Sequence, residues 1–166
     1  MGSGKSTLGR KLATLLGYKF IDLDSEIEKQ EGRSVSSIFT DRGEQYFRRI
    51  ESEVLRGINK NGNFVVAAGG GTPCYGYNHD YMNSTGITVY LRMNARALVS
   101  RLESGVSSRP LLAGLAGEEL VSYVEKKLVE REPYYLKSAI IFEGLDADAE
   151  KLKEVIGSLS FPPSSV

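Results

Sequence analysis

The first residues of the chain have the composition of a phosphate-binding loop. The segment GSGKST stands directly before leucines at helical spacing. Backbone amides in such a loop, together with the positive end of the helix dipole, form a concave site for anions. Lys5 would reach the β- and γ-phosphates of a nucleotide, and the Ser6 hydroxyl would hold Mg²⁺. A simple turn is the alternative, but Gly-Lys-Ser at the start of a helix favours nucleotide binding. The predicted nucleotide-binding residues are Gly2, Ser3, Gly4, Lys5, Ser6 and Thr7.

Two aspartates follow a short run of strand-forming residues, from Tyr18 to Leu23. On a strand, Asp22 and Asp24 would project from the same face near its carboxyl end, which is where parallel sheets bind ligands. One carboxylate could serve a metal ion and the other an acceptor group. Taken alone, the pair could equally be caps at the end of the strand. Beside a phosphate loop, the ligand-binding interpretation is favoured.

Helical and extended patterns alternate along the rest of the chain. The predicted strands are 18–23, 64–68, 87–91 and 139–142. The predicted helices are 4–16, 34–40 and 42–59, a helix after Asn94, a helix that Pro133 ends, and a closing helix around 152–159. Compact apolar strands between amphipathic helices indicate a parallel sheet with helices on both faces. The predicted fold class is therefore α/β.

Composition limits what the protein can do. At 166 residues the chain fits one domain, predicted at 1–160 with a flexible tail at 161–166. Twenty-one basic and twenty-one acidic residues cancel, so no overall field would draw the protein to nucleic acid. No apolar run approaches the ~20 residues of a membrane span. With a single cysteine and no signal peptide, the expected location is the cytoplasm.

Five further segments follow the phosphate loop in order: FIDLD, FRRIE, GGGTP, SSRPLL and EREPYY. With GSGKST, they make the chain resemble the shikimate kinase family over about residues 1–159. The resemblance implies a P-loop α/β/α fold with strand order 2-3-1-4-5. It also implies transfer of the γ-phosphate of ATP to the 3-hydroxyl of shikimate, with Mg²⁺. We expect a monomer that binds shikimate and ATP but neither nucleic acid nor membrane.

The resemblance assigns roles to single residues. Asp24 is similar to the carboxylate that contacts the shikimate 3-hydroxyl as base or orienting group, and Asp22 to the residue that binds Mg²⁺ through water. Arg48 matches an arginine that grips the substrate carboxylate, and Glu51 can hold its guanidinium from the same helix face. Gly70 matches a backbone amide that meets the substrate. A solvated helix charge at Arg48 and a plain loop at Gly70 are the alternatives.

Two further arginines take roles from the resemblance. Arg131 matches the second arginine on the substrate carboxylate, although a cation at a helix C-terminus would also explain it. Arg109 lies in a predicted lid over 104–117 and matches the arginine that neutralises the transferring phosphoryl group. It could otherwise be a solvated surface residue. Lys5, Asp24 and Arg109 are the predicted catalytic residues.

The chain departs from the family pattern at three points. Ala68 stands where many members carry Ser or Thr, so the metal would depend more on Asp22. The segment EGLDADAEKL lacks an arginine that flanks adenine in some members, and Arg101 is a candidate substitute. The full motif GxxxxGK[ST] needs a glycine two positions before Met1, after a strand, so we expect the true start codon to lie upstream. His79 and Cys74 have no spacing typical of a metal cluster or a nucleophile pair.

Two other classes of function stay open at this point. Another small P-loop kinase, acting on gluconate or a nucleoside monophosphate, would share GSGKS and a lid, but the DxD, FRRIE and GGG segments argue against it. A catalytically silent nucleotide-binding protein is the second alternative, because the expected first strand is not in the sequence.

Overall fold

The computed structural model describes residues 2–58, 62–104 and 115–159. Four short parallel strands alternate with helices, as the α/β prediction requires. The strands are β1 (Lys19–Asp22), β2 (Phe64–Ala67), β3 (Val89–Arg92) and β4 (Ile140–Glu143). The helices are α1 (Lys5–Leu16), α2 (Leu23–Glu31), α3 (Val35–Gly57), α4 (Asn78–Thr85), α5 (Ala95–Ser104), α6 (Gly117–Tyr135) and α7 (Ala149–Ser158), with a 3₁₀ turn at Thr72–Cys74.

The strands form two parallel pairs. Strand β1 pairs with β2 from Lys19 opposite Phe64, and β3 pairs with β4 from Val89 opposite Ile140. No ladder joins the two pairs within the described residues. This pairing agrees with the expected order 2-3-1-4-5, in which the position between the two pairs belongs to the strand before the phosphate loop.

Helices cover the strands through three apolar clusters. One cluster joins α2 to α3 around the fully buried Leu23, Ile27 and Ile38. A second joins α5 to α6 around Val124, and the third joins α1 to β4 and α7 through Leu12. Helix α1 thereby packs on β1, β2 and α7. These contacts also fix the position of the phosphate loop, which leads into the first residue of α1. No helix in the described part of the chain is long and apolar enough to cross a membrane.

The strand predicted over Tyr18 to Leu23 ends earlier than expected, and this changes the position of Asp24. Asp22 is the last residue of β1, and α2 begins at Leu23, so Asp24 lies in the first turn of a helix. The Asp22 carboxylate caps α2 by accepting a hydrogen bond from the Ser25 amide at 3.4 Å. The prediction that both aspartates project from one strand face was therefore wrong.

Two helix boundaries also differ from the predictions. The predicted pieces 34–40 and 42–59 are joined in α3, and the helix is broken inside the second piece, at Gly43, which has φ 79° and ψ 170°. Helix α6 continues past Pro133 to Tyr135, although proline lacks the amide that would continue the helical hydrogen bonds. Helix α4 had no counterpart in the predictions.

Candidate active site

The phosphate loop opens α1 in the conformation that its glycines allow. Gly2 and Gly4 have φ values of 67° and 79°, which side chains other than glycine rarely adopt. Gly4 stands in the N-cap position of α1 and offers no side chain to the amides of the first turn. These amides and the helix dipole therefore face an anion-binding position. Lys5 is the first residue of the helix, as the nucleotide interpretation requires.

Arg101 holds the phosphate loop from the last turn of α5. Its guanidinium donates to the Ser3 carbonyl at 3.2 Å, and to the carbonyls of Gly144 and Leu145 at 3.2 and 2.9 Å. Gly144 and Leu145 follow β4, in the segment that is expected to flank adenine. Arg101 thus joins the two segments expected to surround a nucleotide.

Ser6 and Asp22 meet at the other side of the phosphate loop. The Ser6 hydroxyl donates to the Asp22 carboxylate at 2.7 Å, which links α1 to the end of β1. A hydroxyl and a carboxylate are oxygen ligands suited to Mg²⁺, which usually keeps several waters and binds substrate phosphates as well. In the described part of the chain no three His, Cys, Asp or Glu side chains cluster to hold a metal by themselves. The pair therefore fits a metal that is shared with phosphates.

Arg48 is buried in α3 and held by two glutamates. It is 9% exposed, donates to the fully buried Glu51 at 2.8 Å, and donates to Glu44 at 3.1 and 3.2 Å. Burial opposes its charged form, but Glu51 and Glu44 outweigh that effect and raise the pKa of Arg48. The Tyr75 ring lies 4.6 Å from the guanidinium carbon. A permanent positive charge is thus fixed in a partly desolvated position.

The glycines after β2 pack against both Arg48 and Asp24. We call residues 69–74 the glycine loop. A Cβ atom added at Gly71 would lie only 2.5 Å from a terminal nitrogen of Arg48. A Cβ added at Gly69 would lie 3.0 Å from Glu51 and 3.5 Å from the Asp24 carboxylate. The glycine loop therefore packs directly against the side chains of Arg48, Glu51 and Asp24.

The glycine loop is also fixed by buried hydrogen bonds. The Thr72 hydroxyl, fully buried, donates to Glu51 at 2.6 Å. The side-chain amide of the buried Asn78 donates to the Thr72 carbonyl at 3.0 Å. Since Glu51 also accepts from Arg48, one buried carboxylate joins α3 to the glycine loop. Thr72 and Asn78 were not identified from the sequence, because their partners lie in distant elements.

Arg131 approaches the same loop from α6. Burial raises the pKa of the Cys74 thiol, while the positive charges of Arg131 and Arg48 act to lower it. The charges of both arginines thus act on a residue at the end of the glycine loop. The Tyr135 hydroxyl, one helical turn beyond Arg131, donates to the Gly70 carbonyl at 2.5 Å. Gly70 thus meets α6 through its carbonyl oxygen, and no role was predicted for Tyr135.

Arg109 and most of the predicted lid at 104–117 lie outside the described residues. Ala68 is partly buried at the end of β2 and packs on the cluster between α2 and α3.

A phosphate loop at the start of α1, a carboxylate at the end of β1 and parallel α/β topology define a P-loop phosphotransferase. The comparisons with known proteins narrow this class. The family model for shikimate kinase matches residues 1–159. A shikimate kinase of Parabacteroides distasonis is 43% identical over 152 residues, which cover 92% of this chain and 85% of that protein.

Solved structures agree in fold as well as in sequence. The shikimate kinase structure from Bacteroides thetaiotaomicron superposes with a TM-score of 0.89 at 36% identity, covering 95% of this chain and 94% of that one. A shikimate kinase from Acinetobacter baumannii, solved in complex with shikimate, has a TM-score of 0.80 at 32% identity and covers 94% and 86% of the two chains. The predicted fold class is confirmed, and the chain belongs to the shikimate kinase family.

Proposed function

We propose that this chain catalyses the ATP-dependent phosphorylation of the 3-hydroxyl of shikimate, at the site between the phosphate loop and the glycine loop. One observation carries the assignment of the site: Asp24 and Arg48, from two different helices, pack against the glycine loop, and the charge of Arg131 from a third helix acts on Cys74 at the end of that loop. A cyclic acid with a reactive hydroxyl needs this combination of guanidinium groups for its carboxylate and a carboxylate for its alcohol.

The phosphate loop and the Ser6–Asp22 pair would supply the nucleotide half of the site. When bound, Mg²⁺ would neutralise phosphate charge, with Ser6 as a ligand and Asp22 holding its water. Lys5 would reach the transferring phosphate from the first turn of α1. Phosphoryl transfer needs little covalent help from the protein, so positioning and charge neutralisation would supply most of the rate. Arg109 would add charge from the lid, and this role stays a prediction.

Asp24 would meet the acceptor hydroxyl. Its carboxylate lies beside Gly69 at the start of α2, two residues after the proposed metal residue Asp22. From there it could accept the proton of the hydroxyl or orient it toward the γ-phosphate. Arg48 and Arg131 would hold the substrate carboxylate at the other end of the ring. This arrangement would fix the acceptor oxygen with respect to Lys5.

Shikimate-dependent release of ADP tests this assignment. Asp24→Asn should reduce kcat about a hundredfold or more and leave the KM for ATP nearly unchanged, as expected for loss of a general base or orienting group. Arg48→Ala should raise the shikimate KM roughly ten- to hundredfold, because a hydrogen-bonded charge is lost. Arg49→Ala is the matched control, because the Arg49 side chain lies on the same helix, is 61% exposed and forms an exposed ion pair with Glu53 at 3.4 Å.

The same assay separates the alternative functions. Release of ADP that depends on gluconate or a nucleoside monophosphate, but not on shikimate, would identify a different small-molecule kinase. Nucleotide binding without release for any acceptor would identify a catalytically silent protein. Normal shikimate kinetics in both Asp24→Asn and Arg48→Ala would contradict the proposed residue roles.

A further inference from the structure

The hydroxyl of Tyr135 joins two elements of the proposed substrate site, α6 and the glycine loop. Tyr135 is the last residue of α6, and its hydroxyl donates to the Gly70 carbonyl across 65 positions of sequence at 2.5 Å. Arg131 lies four positions earlier, one turn away on the same helix. The Tyr135 hydroxyl therefore ties the end of the helix that carries Arg131 to the glycine loop.

The ring of Tyr135 is fixed independently of the hydrogen bond that its hydroxyl makes. It packs on the Tyr90 ring of β3, with centroids 4.9 Å apart and an interplanar angle of 38°. Burial raises the pKa of Tyr135 to about 12, so the hydroxyl keeps its proton and stays a donor throughout the physiological pH range. The ring contact would survive loss of the hydroxyl. Ring packing and hydrogen bonding can thus be separated by one substitution.

The hydrogen bond controls the direction of a peptide group in the glycine loop. The described residues contain no cis peptide, so the Gly70 carbonyl and the Gly71 amide point in opposite directions from one rigid plane. A carbonyl held toward Tyr135 therefore turns the Gly71 amide away from α6. Glycines on both sides of this peptide would otherwise let it rotate easily, because they lack side chains that limit φ and ψ.

We propose that Tyr135 is a positioning residue for shikimate, which orients the Gly70–Gly71 peptide of the glycine loop through its hydroxyl. This inference rests on the proposed function. Loss of the hydroxyl would leave the phosphate loop untouched but would free this peptide to rotate. Only the shikimate half of the reaction should then be affected.

Steady-state kinetics of Tyr135→Phe and Tyr134→Phe in the full chain test this proposal. Tyr135→Phe should raise the shikimate KM roughly tenfold, as expected for loss of one hydrogen bond at a buried site, with an unchanged ATP KM. Tyr134→Phe should behave like the wild type, because the Tyr134 ring packs against His79, with ring centroids 5.7 Å apart, and it is Tyr135 that donates to Gly70.

The outcomes distinguish this inference from the proposed function. A wild type without shikimate-dependent activity would overturn the proposed function, and this inference with it. An active wild type and a Tyr135→Phe variant with the same shikimate KM would overturn the positioning role alone. Equal increases in the KM for shikimate and ATP, or loss of cooperative thermal unfolding in Tyr135→Phe, would assign the hydroxyl to general structure and would also overturn it.

Discussion

The close approach of Gly71 to Arg48 offers a direct test of the substrate site. Gly71 has φ −90° and ψ −17°, which alanine adopts without strain. An added methyl group would nevertheless lie 2.5 Å from one terminal nitrogen of Arg48 and 2.7 Å from the guanidinium carbon. Ordinary contact begins near 3.4 Å, so the guanidinium would have to move by about 0.9 Å. The Gly71→Ala substitution therefore acts on the position of one charged group.

The consequences of this displacement can be estimated. A shift of about 0.9 Å would break the 2.8 Å hydrogen bond from Arg48 to Glu51 and lower the free energy of unfolding by ~1.5–3 kcal/mol. The guanidinium is the far end of a flexible side chain, so it should give way before the backbone does. Misplacement on this scale should reduce kcat/KM for shikimate about tenfold to a hundredfold. The KM for ATP should not change.

Gly57→Ala is the matched control for Gly71→Ala. Gly57 ends the same helix that carries Arg48, and an added Cβ there meets no atom within 4 Å. Shikimate-dependent ADP release and thermal unfolding should be measured for both variants. A Gly71→Ala protein that unfolds like the wild type and keeps its shikimate KM would refute the reasoning. Either the guanidinium would not lie under Gly71, or Arg48 would not bind the substrate.

Two further predictions concern the nucleotide side and the thiol. Arg101→Gln should raise the ATP KM severalfold and leave the shikimate KM unchanged, because the carbonyls of Ser3 and Gly144 lose their donor. Arg96 is an exposed residue of the same helix, and an equal rise of the ATP KM in Arg96→Gln would argue against this role of Arg101. Cys74 should react with iodoacetamide more slowly than glutathione at pH 8 and faster as the pH rises, because its raised pKa reduces the thiolate fraction. Shikimate should slow this reaction further, and mass spectrometry can follow it because Cys74 is the single cysteine.

Local patterns in the sequence were sufficient for the features that depend on neighbouring residues. The phosphate loop lies before α1 because glycines and a lysine at these positions suit no other local structure as well. The contact between Arg48 and Glu51 follows from three-residue spacing on a helix. Two helical pieces were also expected in the region of α3, although the break lies at Gly43, inside the second predicted piece. In these cases the interacting groups are separated by less than two helical turns.

Features that depend on distant residues could not be predicted in the same way. One local signal was missed as well: Asp22 is a typical N-cap residue for a helix beginning at Leu23, but Asp24 was expected on a strand because the strand-forming run before it was extended too far. The bond from Tyr135 to Gly70 joins residues 65 positions apart, and tyrosine is common in buried helices for its ring alone. Gly70 and Gly71 are equivalent in sequence, but in the fold Gly70 accepts from Tyr135 and Gly71 packs against Arg48.

The two glutamates that hold Arg48 differ in a way that explains how one guanidinium can serve both the fold and a ligand. The Glu51 side chain is fully buried and also accepts from Thr72, so its removal would leave a buried cation and a buried hydroxyl without their partner. The Glu44 side chain is 47% exposed, so water can replace it at small cost. An incoming carboxylate could therefore compete with Glu44 for one edge of Arg48 while Glu51 keeps the other edge fixed. Lysine could not divide its charge between two partners in this planar way.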